Sequence, residues 1–422
     1  IVFGDWSSDV CSSDLCRYLE YRGYDVTHVM NITDLDDKTI NGSARAGMDL
    51  AAFTQQYIDA FHRDLGILGI EPADKYPRAS EHVRDMVALA EKLYLKGFAY
   101  EKLRSLYFNI SKFKEYGRLS GIDLDKIRLG ATVDLDEYEK ENPRDFTLFK
   151  RCKLSELKRG IYTPTEWGNV RPSWHIQCTA MSMKYLGESF DIHTSSRTLV
   201  FPHHENEIAI AQALTGKPLA RYWLHCDRVL MDGKKMDENL PLLNLEDLID
   251  AGYSGRDIRY WLLSTHYRKP VRFSTERLDA AKRSLGRLNA CIENLQNVTE
   301  GTPFPELDQM LYDIKQGFIQ AMDEDMNISA SIASLFRSVK TINKQVLEGR
   351  IDPEGAGKLL EAFRSINAVL NIFDFGEDAR APEIARLIQE RDAARRARNW
   401  ALADRLREEL QALGVMVRDP KS

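Results

Sequence analysis

Apolar and polar positions change their period several times along the chain. Cys16–Gly23 has the pattern of a helix end with Gly23 as its cap, and Tyr24–Asn31 has the β-branched composition of a strand. Apolar residues at three- and four-residue spacing then predict helices over Leu50–Leu68 and Ser80–Lys96. This alternation of helix and strand predicts an α/β nucleotide-binding core.

The segment from residue 98 to residue 172 has a different pattern. It is rich in charges, turns and short strand patterns such as Ser105–Ile110 and Asp145–Lys150, which indicates an insertion into the core. Alternating strand and helix patterns return over Trp174–Gln212, and a further strand is predicted at Tyr222–Met231.

The chain from Ser274 onward is predicted to be almost wholly helical, because apolar residues recur at helical spacing. Segments 305–307 and 380–382 are suitable joints between helices. Glu383–Leu413 has the pattern of two helices that meet at Arg398–Leu402. With 422 residues the chain is too long for one hydrophobic core, so several domains are expected.

The first residues do not fit this picture. Gly4–Leu15 shows no helical or strand periodicity, and it is similar to the translation of a common sequencing-library adapter. We interpret residues 1–15 as a non-native segment and expect the protein to resume near Cys16. The alternative is an unusual polar tail.

Composition excludes several classes of protein. Hydrophobic residues make up 43% of the chain and charged residues 29%, and no apolar run is long enough for a membrane span. The six cysteines are sparse and without pattern, so a disulfide framework is not expected. We therefore expect a reducing, cytoplasmic setting. The net charge of −6 does not indicate nucleic-acid binding, although one basic face on an acidic protein could still contact phosphates.

One cluster of residues has the chemistry of a metal site. If a helix opens at Pro202, then His203 and Glu207 lie at positions i and i+4 on one face. Cys178 could add a thiolate from a neighbouring element, which would complete a set of ligands that zinc favours. The alternative is that these are polar residues at a helix start whose groups are satisfied by caps.

Several motifs, in order, resemble the cysteinyl-tRNA synthetase family over residues 16–418. The most specific are Trp-His-Ile-Gln-Cys at Trp174–Cys178, Phe-Asp-Ile-His ending at His193, and Phe-Pro-His-His-Glu-Asn-Glu at Phe201–Glu207. Further similar segments are Asn31–Lys38, Tyr116–Ser120, Asp145–Lys150, Tyr260–Tyr267 and Ala321–Asn327.

The resemblance implies an α/β fold of the class I synthetase type. The family has a Rossmann-like nucleotide-binding core with an inserted connective domain, followed by an all-α bundle and a C-terminal helical tail. The expected boundaries are 16–97 and 173–240 for the core, 98–172 for the insertion, 241–273 for a stem-contact region, 274–372 for a tRNA-binding helical bundle and 383–422 for the tail.

The resemblance also implies the chemistry of the site. In the family, zinc is bound by two Cys, one His and one Glu, so Cys178, His203 and Glu207 would be three of four ligands. The metal binds the substrate thiolate directly, and serine is rejected because its hydroxyl is a poorer zinc ligand. Thr33, Trp174 and His193 match positions at the family's cysteine pocket, and His175 would lie near it.

The sequence departs from the family pattern in three places. The fourth zinc ligand and the His-Ile-Gly-His signature are absent, which predicts weak zinc binding and a chain that is inactive as written. Lys235 matches the first lysine of the mobile Lys-Met-Ser-Lys-Ser loop, but the second lysine is replaced by Glu238, which would repel the leaving pyrophosphate. Thr194–Thr198 replaces a glycine-rich stretch with an Asp near the adenosine.

The C-terminal helices carry the residues predicted to contact tRNA. Arginine suits phosphate and base-stacking contacts, and here it is interleaved with an aromatic ring. The predicted residues are Arg391, Arg395, Arg396, Arg398 and Trp400. The alternative is a solvated helix whose arginines pair with Glu390 and Asp404.

The function implied by the resemblance is cysteine–tRNA ligation during translation. The expected cofactor is Zn²⁺, and the expected partners are cysteine, ATP with Mg²⁺ and tRNA(Cys), for a monomer without a membrane. Two alternatives stay open. One is a non-catalytic tRNA- or cysteine-binding paralogue, suggested by Glu238 and Thr194–Thr198. The other is a cysteine ligase acting on a small amine, against which the long tail weighs.

Overall fold

The computed structural model describes most of the chain. The described residues are 6–123, 140, 142–231, 234–235, 244–376, 386–387, 390–391, 394 and 399–412. They form two compact units. The first contains residues up to Cys16, then Tyr24–Gly252 and Tyr267–Ser274, and the second contains Arg17–Gly23, Tyr253–His266 and the chain from Thr275.

The described helices fall in both units, and none of them is long and apolar enough to cross a membrane. They are α1 Trp6–Tyr21, α2 Asp37–Ala46, α3 Leu50–Ile67, α4 Val83–Leu95, α5 Leu154–Lys158, α6 Trp174–Leu186, α7 Glu205–Thr215, α8 Leu245–Asp250, α9 Gly255–Leu263, α10 Thr275–Gln296, α11 Leu307–Asp323, α12 Ile328–Leu347, α13 Pro353–Leu370 and α14 Trp400–Ala412.

The strands lie in the first unit. They are β1 Ala99–Lys102, β2 Ser105–Phe108, β3 Phe146–Arg151, β4 Thr163–Thr165, β5 Gly168–Pro172, β6 Phe190–Ser196, β7 Ala220–Cys226, β8 Val229–Met231, β9 Lys234–Lys235 and β10 Val271–Phe273.

Helix α1 covers most of Gly4–Leu15, the segment whose sequence shows no helical or strand periodicity. Every residue from Val10 to Cys16 is buried, so this part of the helix is enclosed on all its faces and has no single apolar face. The Ser and Asp residues of this segment give no helical signal in the sequence, because they favour caps and turns over helix interiors.

The strand predicted at Tyr24–Asn31 is also corrected. Single parallel bridges join Val29 to Lys75 and Ile32 to Arg78, without a continuous ladder. Backbone hydrogen bonds run from the Met30 N–H to the Lys75 carbonyl and from the Ile32 N–H to the Pro77 carbonyl. Pro77 has no N–H to return a bond, so the ladder is interrupted at that position.

The segment predicted as an insertion folds as a five-stranded sheet in the order β1-β2-β3-β5-β4, antiparallel throughout. Its apolar residues belong to the same hydrophobic core as helices α4, α6 and α7, through residues such as Phe108, Phe149, Met86, Ile176 and Ile210. Because one core is shared, the sheet fixes the position of α6 and α7, which carry the predicted metal ligands.

The first unit also contains two pairs of parallel strands. β6 pairs in parallel with β7, and β8 pairs in parallel with β10 and antiparallel with β9. In β6 and β7 the register places His193 beside Trp223 and Ser195 beside His225. Alternate residues of a strand share a face, so these four side chains lie on one face of the pair.

The second unit is helical, as predicted from Ser274 onward. Helices α10–α13 pack around buried apolar residues such as Leu285, Ile292, Phe318, Leu335 and Phe363. The last described helix, α14, begins at Trp400, so the joint predicted at Arg398–Leu402 lies partly outside the described residues.

Candidate metal centre and substrate pocket

Helix α6 places Trp174 and Cys178 one turn apart, so both lie on the same side of the helix. Ile176 and Met181 are fully buried in the shared core and set the rotation of the helix. The Gln177 amide donates to the Leu35 carbonyl across 2.6 Å, which ties α6 to the segment after Thr33. Cys178 is buried, whereas Trp174 keeps 41% of its surface exposed.

The other two predicted ligands lie just before and inside helix α7. The α-helix begins at Glu205, because Phe201 has extended backbone angles (φ −132°, ψ 133°) and a wider turn spans Val200–His204. The helix therefore does not open at Pro202 as predicted. The i, i+4 relation still holds, since Nε2 of His203 lies 3.7 Å from Oε1 of Glu207.

Cys178, His203 and Glu207 converge in the interior of the unit. All three are buried, and their ligand atoms lie within 4.8 Å of one another. Neither carboxylate oxygen of Glu207 accepts a hydrogen bond from the described residues, although both oxygens are buried. A buried carboxylate without partners is costly, and a divalent cation would compensate it.

The three donors fit zinc. Sulfur, imidazole nitrogen and carboxylate oxygen are the ligand types that zinc takes in proteins. Zinc–ligand bonds of 2.0–2.3 Å in a tetrahedron imply ligand separations of about 3.3–3.8 Å, and the 3.7 Å between His203 and Glu207 lies in that range.

Neighbouring rings orient the His203 imidazole. His175 Nδ1 lies 2.9 Å from His203 Nδ1, which leaves Nε2 of His203 facing Glu207. The Trp174 indole stacks on His203 with 4.1 Å between ring centroids. Burial, followed by the charges that His175 and His193 would carry, holds the pKa of His203 well below its usual value, so the ring is in the neutral form that binds metals.

The thiol of Cys178 is shifted in the opposite direction. Burial, followed by the charge of Glu207, raises its pKa well above the usual range, while a hydrogen bond from Asn31 lowers it. A bound metal ion would reverse this balance, because a coordinated thiol loses its proton.

Thr33 belongs to the segment that contacts Cys178. The amide of Asn31, two residues earlier, donates to the Sγ of Cys178 across 3.5 Å. Thr33 itself is half-buried and follows the Ile32 bridge to Arg78. The structure thus brings together the two motifs that contain Thr33 and Trp174, as expected for a common pocket.

His193 approaches the same carboxylate from strand β6. Its Nε2 lies 3.3 Å from Oε2 of Glu207, and its ring stacks on Trp223 at 4.4 Å between centroids. The sequence interpretation missed His204, Trp223 and His225, which adjoin it. The doublet His203–His204 and the two-residue spacing of Trp223 and His225 on a strand were signals for them.

The segment Thr194–Thr198 contains the end of β6 and the turn that follows it, in which two hydroxyl groups contact each other. Ser196 Oγ lies 3.0 Å from Thr198 Oγ1, and Nη1 of Arg197 lies 3.6 Å from the Asp227 carboxylate.

The remaining predicted residues are placed less completely. The backbone of Lys235, in β9, pairs with that of Leu230, in β8. Glu238 lies outside the described residues. A side chain must be exposed to solvent to contact a phosphate of tRNA. Arg391 is only 2% exposed, so the structure does not place it for such a contact. Trp400 is 58% exposed, and Arg395, Arg396 and Arg398 lie outside the described residues.

Comparison with known proteins gives matches along nearly the whole chain. Residues 3–283 match the model of the class I (C) tRNA synthetase catalytic domain, residues 317–374 a DALR domain, and residues 378–422 the cysteinyl-tRNA ligase anticodon binding domain. The chain belongs to the cysteinyl-tRNA synthetase family. This confirms the family that the sequence motifs indicated.

Relatives and solved structures agree with this assignment. The chain is 40% identical to the cysteine–tRNA ligase of Chlamydia pneumoniae over 99% of this chain and 89% of that one. It is 39% identical to that of Methanosarcina acetivorans, with coverage of 99% and 90%.

Two solved synthetases share the fold at low identity. The methionyl-tRNA synthetase of Mycobacterium tuberculosis has a TM-score of 0.60 at 13% identity, with coverage of 88% and 87%. The leucyl enzyme of Agrobacterium radiobacter has a TM-score of 0.62 at 11% identity, with coverage of 88% and 82%. The predicted class I synthetase fold is confirmed.

Proposed function

We propose that this chain is an ATP-dependent cysteine–tRNA ligase that recognises its amino acid through zinc held by Cys178, His203 and Glu207. One observation carries the zinc proposal: the buried Glu207 carboxylate has no hydrogen-bond partner among the described residues and faces a thiol and an imidazole. The ligase activity is proposed because the relatives named above are cysteine–tRNA ligases.

Zinc at this position would take the thiolate of a substrate cysteine as a further ligand and so discriminate against serine. The protein's own residues prepare the site. His175 fixes the ring of His203, Asn31 donates to the Cys178 sulfur, and Trp174 stacks over His203 at the exposed edge. Thr33 and His193 are the side chains proposed to line the substrate pocket.

We assign ATP handling and tRNA binding to other parts of the chain. Lys235 is the proposed cation that faces the pyrophosphate of ATP, which is bound with Mg²⁺. The domain at 378–422 is the proposed binding site for tRNA(Cys), with the exposed Trp400 as a base-stacking ring and Arg395, Arg396 and Arg398 as phosphate contacts. We propose a monomer.

The match to an anticodon-binding domain weighs against a ligase whose acceptor is a small amine. A tRNA-binding paralogue without activation chemistry, which the replacement of a loop lysine by Glu238 suggested, is not favoured, because the relatives named above are cysteine–tRNA ligases.

Cysteine-dependent exchange of pyrophosphate into ATP by the full-length gene product tests the proposal. We expect exchange with cysteine, loss of exchange in Cys178→Ser, and retention of exchange in Cys152→Ser. Cys152 directly follows strand β3 and belongs to no group of metal-ligating residues among the described residues. Absence of exchange in the wild-type protein, with tRNA binding intact, would favour the non-catalytic paralogue.

A further inference from the structure

The side chain of Arg171 joins two acidic groups from different parts of the first unit. Its Nε lies 3.0 Å from the Glu156 carboxylate, and its Nη2 contacts the carboxylate of Asp37. Glu156 belongs to helix α5 of the insertion, whereas Asp37 is the first residue of helix α2. The side chain of Arg171 is only 4% exposed, and a buried charge is costly unless it is paired. Its position therefore depends on both carboxylates.

A second cation lies beside Arg171 on the same face of the sheet. Lys150 of β3 is its direct partner in the antiparallel pair with β5, and like charges at such positions repel each other. The Lys150 ammonium lies 2.9 Å from Oδ2 of Asp37, while Arg171 contacts Oδ1. Burial raises the pKa of Asp37, but the charges of Arg171 and Lys150 outweigh this effect and hold the pKa below its usual range. Asp37 thus binds both cations as a carboxylate.

The backbone of Arg171 leads directly into one wall of the proposed pocket. Trp174 begins helix α6 three residues later, and Cys178 follows one turn further on. The intervening backbone is held to β3, because the Ser173 N–H donates to the Leu148 carbonyl across 2.9 Å. A shift of Arg171 would therefore be transmitted to the start of α6.

Asp37 ends the segment that forms the other wall. Thr33 lies four residues before it, and the Leu35 carbonyl between them accepts the hydrogen bond from Gln177 of α6. The salt bridge to Arg171 holds the C-terminal end of this segment. One guanidinium is thus connected to both walls: through its backbone to the helix of Trp174 and through its side chain to the segment of Thr33.

The far end of helix α2 is held by another cation of the insertion. Arg159 directly follows α5 and donates to the carbonyls of Ile40 (3.0 Å) and Met48 (3.3 Å) and to the Ser43 hydroxyl (2.8 Å). Because α2 is fastened at both ends, it cannot rotate or slide without breaking one set of these contacts. The position of Asp37 is therefore set by the insertion.

We propose that Arg171 is a positioning residue for the substrate cysteine, because its side chain fixes the Thr33 segment against helix α6 and so sets the width of the pocket. This role rests on the proposed function, since the pocket is the one proposed there. Misplacement of a binding group by about 1 Å can cost about 100-fold in activity. The competing explanation is an ion network that only stabilises the insertion.

Equilibrium dialysis of labelled cysteine against the zinc-loaded full chain, freed of excess metal, separates the two explanations. Arg171→Lys keeps the charge but loses the planar fork that reaches two carboxylates. We expect its dissociation constant for cysteine to rise about tenfold with the number of binding sites unchanged. A purely stabilising role would reduce the number of sites and leave the dissociation constant of the folded protein as it is. Arg221→Lys, at an exposed ion pair of β7, is the matched control and should change neither.

Asp37→Asn tests the same contact from its more exposed side, and it keeps the pair of Arg171 with Glu156 in place. It should weaken cysteine binding by a similar factor and serves on its own if Arg171→Lys does not fold. The double variant should bind cysteine at most about twofold more weakly than either single variant, because both changes break one contact. Thermal unfolding confirms that each protein is folded at the temperature of the dialysis.

The results distinguish failure of this role from failure of the proposed function. Folded Arg171→Lys and Asp37→Asn proteins that bind cysteine as tightly as wild type would overturn the positioning role alone. Effects that multiply in the double variant, or a loss of sites at an unchanged dissociation constant, would do the same. A zinc-loaded wild-type protein that binds no cysteine would overturn the proposed function and the positioning role with it.

Discussion

The side-chain amide of Asn31 donates a hydrogen bond to the sulfur of Cys178 across 3.5 Å. This contact joins the segment that carries Thr33 to the helix that carries the Cys178 thiol. A donor of this kind orients a metal-bound thiolate and moderates its charge, as groups outside the ligand set commonly do.

We therefore expect Asn31→Ala to weaken zinc binding by about tenfold, measured by competition with a chromophoric chelator. Asn294→Ala, which removes an exposed amide of helix α10, is the matched control and should have no effect. Equal zinc affinities for the wild type and Asn31→Ala would show that the contact has no part in binding the metal.

Glu207→Gln is expected to act in opposite directions with and without metal. In the metal-free protein it removes a buried charge that lacks a hydrogen-bond partner, so the free energy of unfolding should rise by about 1–3 kcal/mol. In wild type, zinc at one hundred times its dissociation constant should add about 2.7 kcal/mol, which the variant should lose.

Urea unfolding with and without zinc measures both effects. Glu166→Gln, at an exposed position, should change stability by less than about 0.5 kcal/mol under either condition. A metal-free Glu207→Gln protein that is less stable than wild type would mean that the carboxylate has a stabilising partner of its own.

Glu205 fastens the turn at Gly117–Ser120 to helix α7. Its buried carboxylate accepts hydrogen bonds from the backbone N–H groups of Gly117 (3.0 Å) and Ser120 (2.6 Å) and from the Ser120 hydroxyl (2.8 Å). Glu205→Ala leaves two backbone donors without this acceptor and should cost about 2–4 kcal/mol, whereas Ser120→Ala should cost about 1 kcal/mol.

Chemical denaturation of both single variants and the double variant measures the coupling. The effects should be non-additive, because both variants break the same contact. Additive losses would indicate that Glu205 stabilises α7 independently of this turn.

The second unit contains a pH-sensitive contact. The Tyr18 hydroxyl donates to Asp323 across 2.6 Å, and Arg22 also contacts this carboxylate. The hydrogen bond from Tyr18, followed by that from Arg22, holds the pKa of Asp323 below its usual value. A depressed carboxyl pKa contributes stability above the unfolded-state pKa of about 3.9, and this contribution is lost as the pH falls through the folded value.

Asp323→Asn should therefore be less stable than wild type at pH 7 and no less stable at about pH 2. The difference at pH 7 should be under about 1 kcal/mol, because the pair is half exposed and screened by solvent. Unfolding curves across this pH range are the measurement, and a difference that does not depend on pH would contradict the assignment.

The sequence predicted those parts of the site that depend on local spacing. His203 and Glu207 meet because they are four residues apart, and Trp174 and Cys178 meet for the same reason. His204 and His225 were missed, because their contact joins strand β7 to the turn before α7, and no local period encodes a contact of that kind. The missing ladder bond at Pro77 depends on which strand pairs with Tyr24–Asn31, and that is likewise a long-range fact.

A thiolate-selective metal held by Cys178, His203 and Glu207 is the proposed means by which the protein recognises its substrate. The most direct measurement is the absorption spectrum of the Co²⁺-loaded protein titrated with cysteine or serine. Cysteine should intensify the sulfur-to-cobalt band by adding a second thiolate, serine should leave it unchanged, and Cys178→Ser should lose the protein's own part of the band. Equal responses to cysteine and serine, or no response to cysteine in a folded, metal-loaded protein, would contradict the account.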